Sequence, residues 1–194
     1  MRKPRADALR NRDRLLTGAK AAFADVGPDV SLEEIARRVG VGIGTLYRHF
    51  PTRDAIVEAV YRREVEQLAE SARELLETHP AGDALHLWMR VFVDYITAKK
   101  IIAPSLQSMV GGPTAVYESS GETITKTVYL LVERAKESGD IVSDIAPDDV
   151  IRAMIGFTHI NPGPGWDTSA RRLIDIFMNG LRSDAKSTGP ANSR

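Results

Sequence analysis

The segment from Ser31 to Arg53, SLEEIARRVGVGIGTLYRHFPTR, constrains the fold of this chain more than any other. Ser31 and Glu34 have the spacing of a capping box, in which the hydroxyl accepts from the amide of Glu34 and the carboxylate reaches back to the amide of Ser31. Gly40 follows the last apolar position, where a positive φ ends a helix at little cost. The pattern predicts a short helix, a turn at Gly40 and a second helix from Gly42.

The second helix is short and carries polar groups on its outer faces. Leu46 and Phe50 lie four residues apart and are expected to face the interior, and Pro51 ends the helix. A helix of barely two turns has little stability alone, so docking into a DNA groove explains its outward Thr45, Tyr47, Arg48 and His49. A nucleotide-binding glycine loop is disfavoured because no strand precedes it and GxxxxGK[ST] is absent. A helix-turn-helix used only for packing stays open.

The charge is distributed unevenly although the formal net charge is zero. Residues 1–63 contain 13 Lys or Arg and 8 Asp or Glu, whereas the remainder contains 13 and 18. The basic end is therefore expected to be the DNA end. Arg2, Lys3 and Arg5 precede the helical pattern and are expected to contact phosphates or the minor groove, with a solvated tail as the alternative.

Three stretches of the first half of the chain are considered together: the run from Arg12 to Phe23, the segment Ser31 to Phe50 ending in Gly-Thr-Leu-Tyr-Arg-His-Phe, and Pro-Thr-Arg-Asp after it. They resemble the TetR family of bacterial transcriptional regulators. The resemblance implies that the second short helix reads the major groove while Tyr47, His49 and Arg53 hold phosphates. By the same resemblance Ile43 corresponds to a base-reading position, with Gly44 beside it, so thymine-methyl contact or shape readout is expected. The expected DNA-binding residues are Arg2, Lys3, Arg5, Ser31, Gly42, Ile43, Gly44, Thr45, Tyr47, Arg48, His49 and Arg53.

Helical periodicity over the 194 residues predicts an all-α fold of about nine helices. Residues 1–51 are expected to form a three-helix helix-turn-helix domain. Residues 52–182 are expected to form a helical-bundle effector and dimerisation domain, entered by a linking helix over 52–78. Asp83 is expected to cap the next helix, and Pro104 to begin a separate short segment. The Ser, Gly, Pro and Asn content of residues 183–194 predicts a disordered tail.

Two helices near the end of the chain, predicted over 147–160 and 167–181, carry apolar faces broader than one core contact needs. Such helices commonly pair with their copies in a four-helix interface, so a homodimer is expected. The expected interface residues are Ile151, Ile155, Leu173, Ile174, Phe177 and Leu181. A dimer also places two reading helices on half-sites about 34 Å apart or a multiple of that spacing.

Large side chains in separate segments of the second domain are candidates for a ligand pocket, with ordinary core as the alternative. They are Trp88, Phe92, Tyr95, Met109, Tyr117, Tyr129 and Phe157. The family resemblance implies a small apolar or amphipathic effector. The expected function is a homodimeric repressor that a small molecule releases from a palindromic double-stranded DNA operator. A helical enzyme, a small-molecule carrier and a partner-binding protein stay open as alternatives.

Catalytic and metal-binding patterns are absent from the sequence. The chain has no cysteine, and its histidines show neither an HExxH motif nor an i,i+4 pair, so no metal site, cofactor or catalytic residue is expected. No signal-peptide pattern and no apolar stretch long enough for a bilayer occurs, so a cytoplasmic protein without membrane contact is expected.

Overall fold

The computed structural model describes the backbone of residues 4–159 and 163–182, and the side chains of residues 10–158 and 163–182. Within these ranges the chain forms eight α-helices and no strand, which confirms the predicted all-α class. The helices are α1 Pro4–Val26, α2 Leu32–Val39, α3 Ile43–His49, α4 Arg53–Thr78, α5 Ala81–Gln107, α6 Thr114–Glu137, α7 Pro147–His159 and α8 Trp166–Leu181.

Contacts between residues divide the chain into two compact units. The N-terminal unit contains the residues up to Glu66 together with Thr97–Ser120, and the C-terminal unit contains Gln67–Ile96 and the residues from Gly121 onward. Each of the long helices α4, α5 and α6 therefore contributes one part to each unit.

The core of the N-terminal unit is built from the apolar faces of its short helices. Phe23 of α1, Ile35 of α2 and Leu46 of α3 are fully buried. Gly18 of α1 faces Val39 so closely that a Cβ at this position would lie 2.1 Å from a Val39 methyl carbon. The absence of a side chain at Gly18 thus permits the close approach of α1 and α2 that completes this core.

Helix α5 continues through Pro104 to Gln107, so the separate segment predicted after this proline is part of α5. Proline removes one helical hydrogen bond and normally ends or kinks a helix. Here Ile102 and Leu106, on either side of Pro104, are buried in the N-terminal unit. We infer that their burial offsets the lost hydrogen bond and keeps the helix continuous.

The C-terminal unit is held partly by ion pairs between α5 and α8. The carboxylate of Asp175 accepts from His86 Nε2 and from Arg90 Nη1, each at 2.7 Å. These hydrogen bonds, the one from His86 first, lower the pKa of Asp175. Arg171 of α8 similarly pairs with Asp94 of α5.

Asp83 has a different role from the expected helix cap. Helix α5 begins at Ala81, and the amide of Ala84 donates to the carbonyl of Pro80 at 2.8 Å, so Asp83 lies inside the first turn. Its carboxylate accepts from Arg182 at 2.8 Å. The sequence pattern indicated the helix start within three residues but not this partner, which lies 99 residues further along the chain.

Proline and glycine mark helix boundaries in the second half of the chain. Pro147 is the first residue of α7, and Gly139 follows α6 with a φ of 71°. None of the helices in the described ranges is long and apolar enough to cross a membrane.

Candidate nucleic-acid interface

Helix α2 begins at the cap that the sequence predicts. The Ser31 hydroxyl accepts from the amide of Glu34 at 3.1 Å, which confirms half of the capping box. The other half is wrong, since the Glu34 carboxylate accepts from Arg37 at 2.7 and 2.8 Å and from Arg38 at 2.9 Å. These hydrogen bonds, that from Arg37 first, lower the pKa of Glu34 to about 2. The arginines compete for the carboxylate because they lie one helical turn along α2.

The turn between α2 and α3 has the glycine geometry that the sequence predicts. Gly40 has a φ of 71° and a ψ of 35°, a left-handed conformation that residues with a side chain rarely adopt. The amide of Val41 donates to the carbonyl of Ala36 at 3.0 Å and so closes the end of α2. Gly42 then adopts extended backbone as the N-cap of α3. The turn thereby fixes the direction in which α3 leaves α2.

Helix α3 divides its residues between the core and the solvent as predicted. Leu46 and Phe50 are buried, whereas Ile43 is 38% exposed and Tyr47 is 42% exposed. Arg48 is also exposed, while Thr45 and His49 are half-buried. One short helix therefore presents an apolar side chain and several polar side chains on its outer faces.

Two polar side chains of α3 form a local network. The Arg48 guanidinium donates through Nε to the carbonyl of Gly44 and through Nη2 to the Thr45 hydroxyl, both at 3.1 Å. Nothing lies within 4 Å of a Cβ built at Gly44, so the surface beside Ile43 is open. The network holds Arg48 along its own helix and leaves the start of α3 unobstructed.

Helix α1 adds a basic surface that the sequence analysis did not include. Arg10, Arg12 and Arg14 line a concave surface with Asp13. The Arg12 guanidinium lies 5.3 Å from the centre of the Phe50 ring, and Arg14 donates to the carbonyl of Val39 at 2.8 Å. These contacts connect the cations of α1 to the ends of α3 and α2. The presence of three arginines within residues 10–14 is the signal that was available in the sequence.

Arg53 has partners within the protein that the family resemblance does not imply. Its guanidinium donates to the carbonyls of Pro28 and Val30, in the connection between α1 and α2. The same group lies 5.7 Å from the centre of the Phe23 ring. Arg53 is thus directed at the protein interior rather than displayed with the exposed side chains of α3.

The predicted arm at the start of the chain lies mostly beyond the described structure. Arg2 and Lys3 fall outside the described residues. Arg5 lies in the first turn of α1, and its side chain is outside the described set. The expectation that Arg5 precedes the first helix is therefore wrong, since α1 begins at Pro4.

The seven residues predicted for a ligand pocket occupy different surroundings. In the C-terminal unit Trp88, Phe92 and Tyr95 are buried in one row, with successive ring centres 5.9 and 5.6 Å apart. The Trp88 indole donates to the carbonyl of Leu68 at 2.8 Å. Phe157, in the same unit, packs edge to face against Phe177 at 5.7 Å.

The remaining predicted pocket residues differ in exposure. Tyr129 is a surface residue whose hydroxyl donates to Asp148 at 2.9 Å. Met109 and Tyr117 are half-buried in the N-terminal unit. The ring of Tyr117 packs edge to face against Tyr61, which the sequence analysis did not select, at a centre distance of 5.6 Å.

The residues predicted for a dimer interface divide into buried and exposed groups. Ile174 and Leu181 are buried in the core of the protomer. Ile151 and Phe177 are half-buried, whereas Ile155 and Leu173 are exposed. Ile176, beside them on α8, is 62% exposed. Ile155, Leu173 and Ile176 thus form an exposed apolar set on α7 and α8.

Comparison with known proteins agrees with this geometry. A family model described as bacterial regulatory proteins, tetR family, matches residues 15–60, and a model described as the C-terminal domain of SbtR-like transcriptional regulators matches residues 80–183. The HTH-type transcriptional regulator SAR2658 of Staphylococcus aureus is 25% identical over 152 residues, which cover 77% of this chain and 80% of that protein.

Solved structures of similar proteins share the whole fold. The TetR transcriptional regulator SCO0520 of Streptomyces coelicolor is 41% identical, with a TM-score of 0.78 over 89% of this chain and 99% of that chain. A TetR transcription regulatory protein of Mycobacterium vanbaalenii is 31% identical, with a TM-score of 0.77 over 93% and 100%. The chain therefore belongs to the TetR family of transcriptional regulators, and its α2, turn and α3 form the helix-turn-helix of a DNA-binding domain.

Proposed function

We propose that the protein is a homodimeric repressor that binds a palindromic DNA operator through α3 and leaves it when a small apolar or amphipathic molecule binds. The observation that carries the proposal is the exposed face of α3, where Ile43, Tyr47 and Arg48 project from a helix anchored by Leu46 and Phe50. Membership of the TetR family of regulators supports the assignment of DNA binding to this face. The cytoplasm, where the DNA of a bacterium lies, is the proposed location.

Base recognition in this proposal depends on the start of α3. Ile43 offers an apolar surface to the C5-methyl group of thymine, which projects into the major groove. Gly44 adds no side chain, so the backbone of α3 can approach the bases closely. With few hydrogen-bonding groups at this end, sequence-dependent groove shape contributes the rest of the selectivity.

Phosphate binding in this proposal falls to polar groups around that contact. Tyr47 and His49 lie toward the end of α3, and Arg48 carries donors beyond those that bind Gly44 and Thr45. Arg10, Arg12 and Arg14 extend the positive surface along α1. Such contacts position the protein and supply most of the salt-dependent affinity without selecting a sequence. We assign Arg53 to positioning the connection between α1 and α2 rather than to phosphate binding.

Dimerisation in this proposal uses the exposed apolar set of Ile155, Leu173 and Ile176. Isolated exposed apolar side chains are ordinary, but a set on two neighbouring helices is typical of an interface. Gly180 lies one turn beyond Ile176, with open space where its Cβ would be, so a second helix can approach closely there. Self-pairing through α7 and α8 gives the two-fold symmetry that a palindromic operator requires.

Selection of bound duplexes from a random DNA pool tests the DNA-binding proposal. The purified full chain should enrich one sequence with dyad symmetry, with half-site centres about 34 Å apart or a multiple of that spacing. Enrichment of no sequence, or of an unsymmetrical single site bound by one protomer, would reject it. A reporter gene driven from the selected site should be expressed less when the protein is present, and higher expression would reject the repressor role.

A further inference from the structure

Lys99 of α5 lies against two tyrosine rings in the N-terminal unit. Its ammonium nitrogen is 4.6 Å from the ring centre of Tyr117 on α6 and 5.9 Å from that of Tyr61 on α4. Tyr61 is buried and Tyr117 is half-buried. Helices α4, α5 and α6 thus meet at Lys99, whose ammonium group lies beside two aromatic rings.

The charge of Lys99 has no anionic partner among the described residues of the chain. Lys99 as a residue is half-buried. Cation–π attraction occupies none of the three ammonium N–H donors in a directional hydrogen bond. These three donors are available to an anion that enters beside the rings.

We propose that Lys99, Tyr61 and Tyr117 form the head-group site for an amphipathic anion, a carboxylate or sulfonate attached to an apolar body, and that this anion is the effector. The inference rests on the proposed ligand-responsive function and specifies the class of the ligand. The ammonium pairs with the anionic group, and the half-buried ring of Tyr117 contacts the carbons next to it, while the buried Tyr61 packs behind that ring. Burial, with Tyr61 beside it, raises the pKa of Tyr117, so its phenol remains a hydrogen-bond donor at neutral pH.

The position of Lys99 connects such a site to the DNA-binding helices. Ser105 lies less than two turns further along α5, and its hydroxyl donates at 3.1 Å to the carbonyl of Pro28, which also accepts from Arg53. Just after α5, the amide of Val110 donates to the Asp54 carboxylate at 3.1 Å. A shift of this part of α5 on anion binding is thus transmitted directly to the connection before α2 and to the start of α4.

A matched pair of fluorescent probes tests the site without DNA. 8-Anilinonaphthalene-1-sulfonate carries an anionic group, and N-phenyl-1-naphthylamine has the same aromatic frame without it. The wild-type protein should bind the sulfonate saturably, and Lys99→Met should weaken that binding at least about tenfold, equivalent to about 1.4 kcal/mol. Binding of the uncharged probe should change less than about twofold.

Two further variants separate a charge effect from damage to the fold. Lys99→Arg retains the cation and should retain most of the affinity for the sulfonate, whereas Lys100→Met removes the adjacent cation and should leave it unchanged. Absence of saturable sulfonate binding, equal binding by wild type and Lys99→Met, or equal loss of both probes in Lys99→Met would overturn the proposal. Operator binding without ligand, measured in parallel, should be the same for Lys99→Met and wild type, so failure of the proposed DNA function would appear separately.

Discussion

At Arg53, the role that the family resemblance implies differs from the contacts that the side chain makes in the structure. The residue has the place in the chain that the family resemblance associates with phosphate binding. Its guanidinium nevertheless donates to the carbonyls of Pro28 and Val30. Both acceptors are backbone groups, which every amino acid has. Because backbone acceptors carry no signature in the sequence, this partner choice could not be predicted from local pattern.

Replacing Arg53 with alanine should therefore affect folding rather than phosphate contact. Removing charge-assisted hydrogen bonds from two carbonyls should lower the free energy of unfolding by about 1.5–3 kcal/mol, measured by urea denaturation. At a temperature where the variant remains folded, its operator affinity should decrease with salt at the same slope as that of wild type.

Arg48→Ala is the matched comparison because Arg48 is exposed on α3 and Arg53 is not. Arg48→Ala should keep wild-type stability and flatten the salt slope by roughly one per half-site. If Arg53→Ala instead flattens the slope and leaves stability intact, the positioning role is wrong.

Glu34 gives a pH-dependent contribution that follows from its depressed pKa. Hydrogen bonds from Arg37 and Arg38 lower that pKa to about 2 from an ordinary 4.5, so the charged form is favoured in the folded protein. The stabilisation is complete above about pH 4.5 and is lost as the pH falls toward 2. Thermal denaturation of wild type and Glu34→Gln should show a difference that shrinks between pH 5 and pH 3. A difference that grows over that interval would contradict the assignment.

At the scale of helices, boundaries set by glycine and proline could be predicted, and continuity set by packing could not. Gly40, Gly139 and Pro147 mark helix ends because each restricts or permits particular backbone angles locally. Pro104 is an exception, since burial of Ile102 and Leu106 outweighs its local effect. The inward face of α3 was predictable for the same reason as the boundaries, because helical spacing is local.

Helix α8 provides the test of dimer assembly. Phe177 packs on Phe157 within the protomer, so its replacement would disturb the fold as well as any interface. Ile176→Asp is cleaner because Ile176 is 62% exposed, and it would place a carboxylate in an apolar contact at a cost of several kcal/mol. Light scattering should show that the Ile176→Asp variant is monomeric. Its melting temperature should equal that of wild-type protein diluted until it dissociates.

Leu130→Asp serves as the control for this experiment. Leu130 on α6 is also apolar and exposed, but it lies outside the proposed α7 and α8 interface. Its replacement should leave the dimer intact. A dimeric Ile176→Asp variant with wild-type operator affinity would remove α8 from the interface.

At the scale of the whole molecule, the distribution of charge and the proposed homodimer are the two features expected to give a short helix its selectivity. The surplus of cations in the first 63 residues attracts any DNA, while the acidic remainder brings the net charge to zero. One α3 contacts too few base pairs for a useful specificity ratio, and the two α3 helices of the proposed homodimer are expected to combine their discrimination. The basic DNA end and the helix-turn-helix could be predicted from the sequence. The different surroundings of the seven residues expected to line a pocket could not be predicted, because they depend on contacts between distant segments.

The central claim is that α3 reads the bases. The test compares wild type with Ile43→Ala, and for each protein measures the ratio of its affinity for the selected operator to its affinity for a scrambled duplex. Fluorescence anisotropy at one fixed salt concentration measures both affinities. Wild type should prefer the operator by about a thousandfold or more, and Ile43→Ala should lower that ratio by roughly tenfold while its affinity for scrambled DNA stays unchanged. An unchanged ratio in Ile43→Ala, or equal wild-type affinity for both duplexes, would contradict the claim.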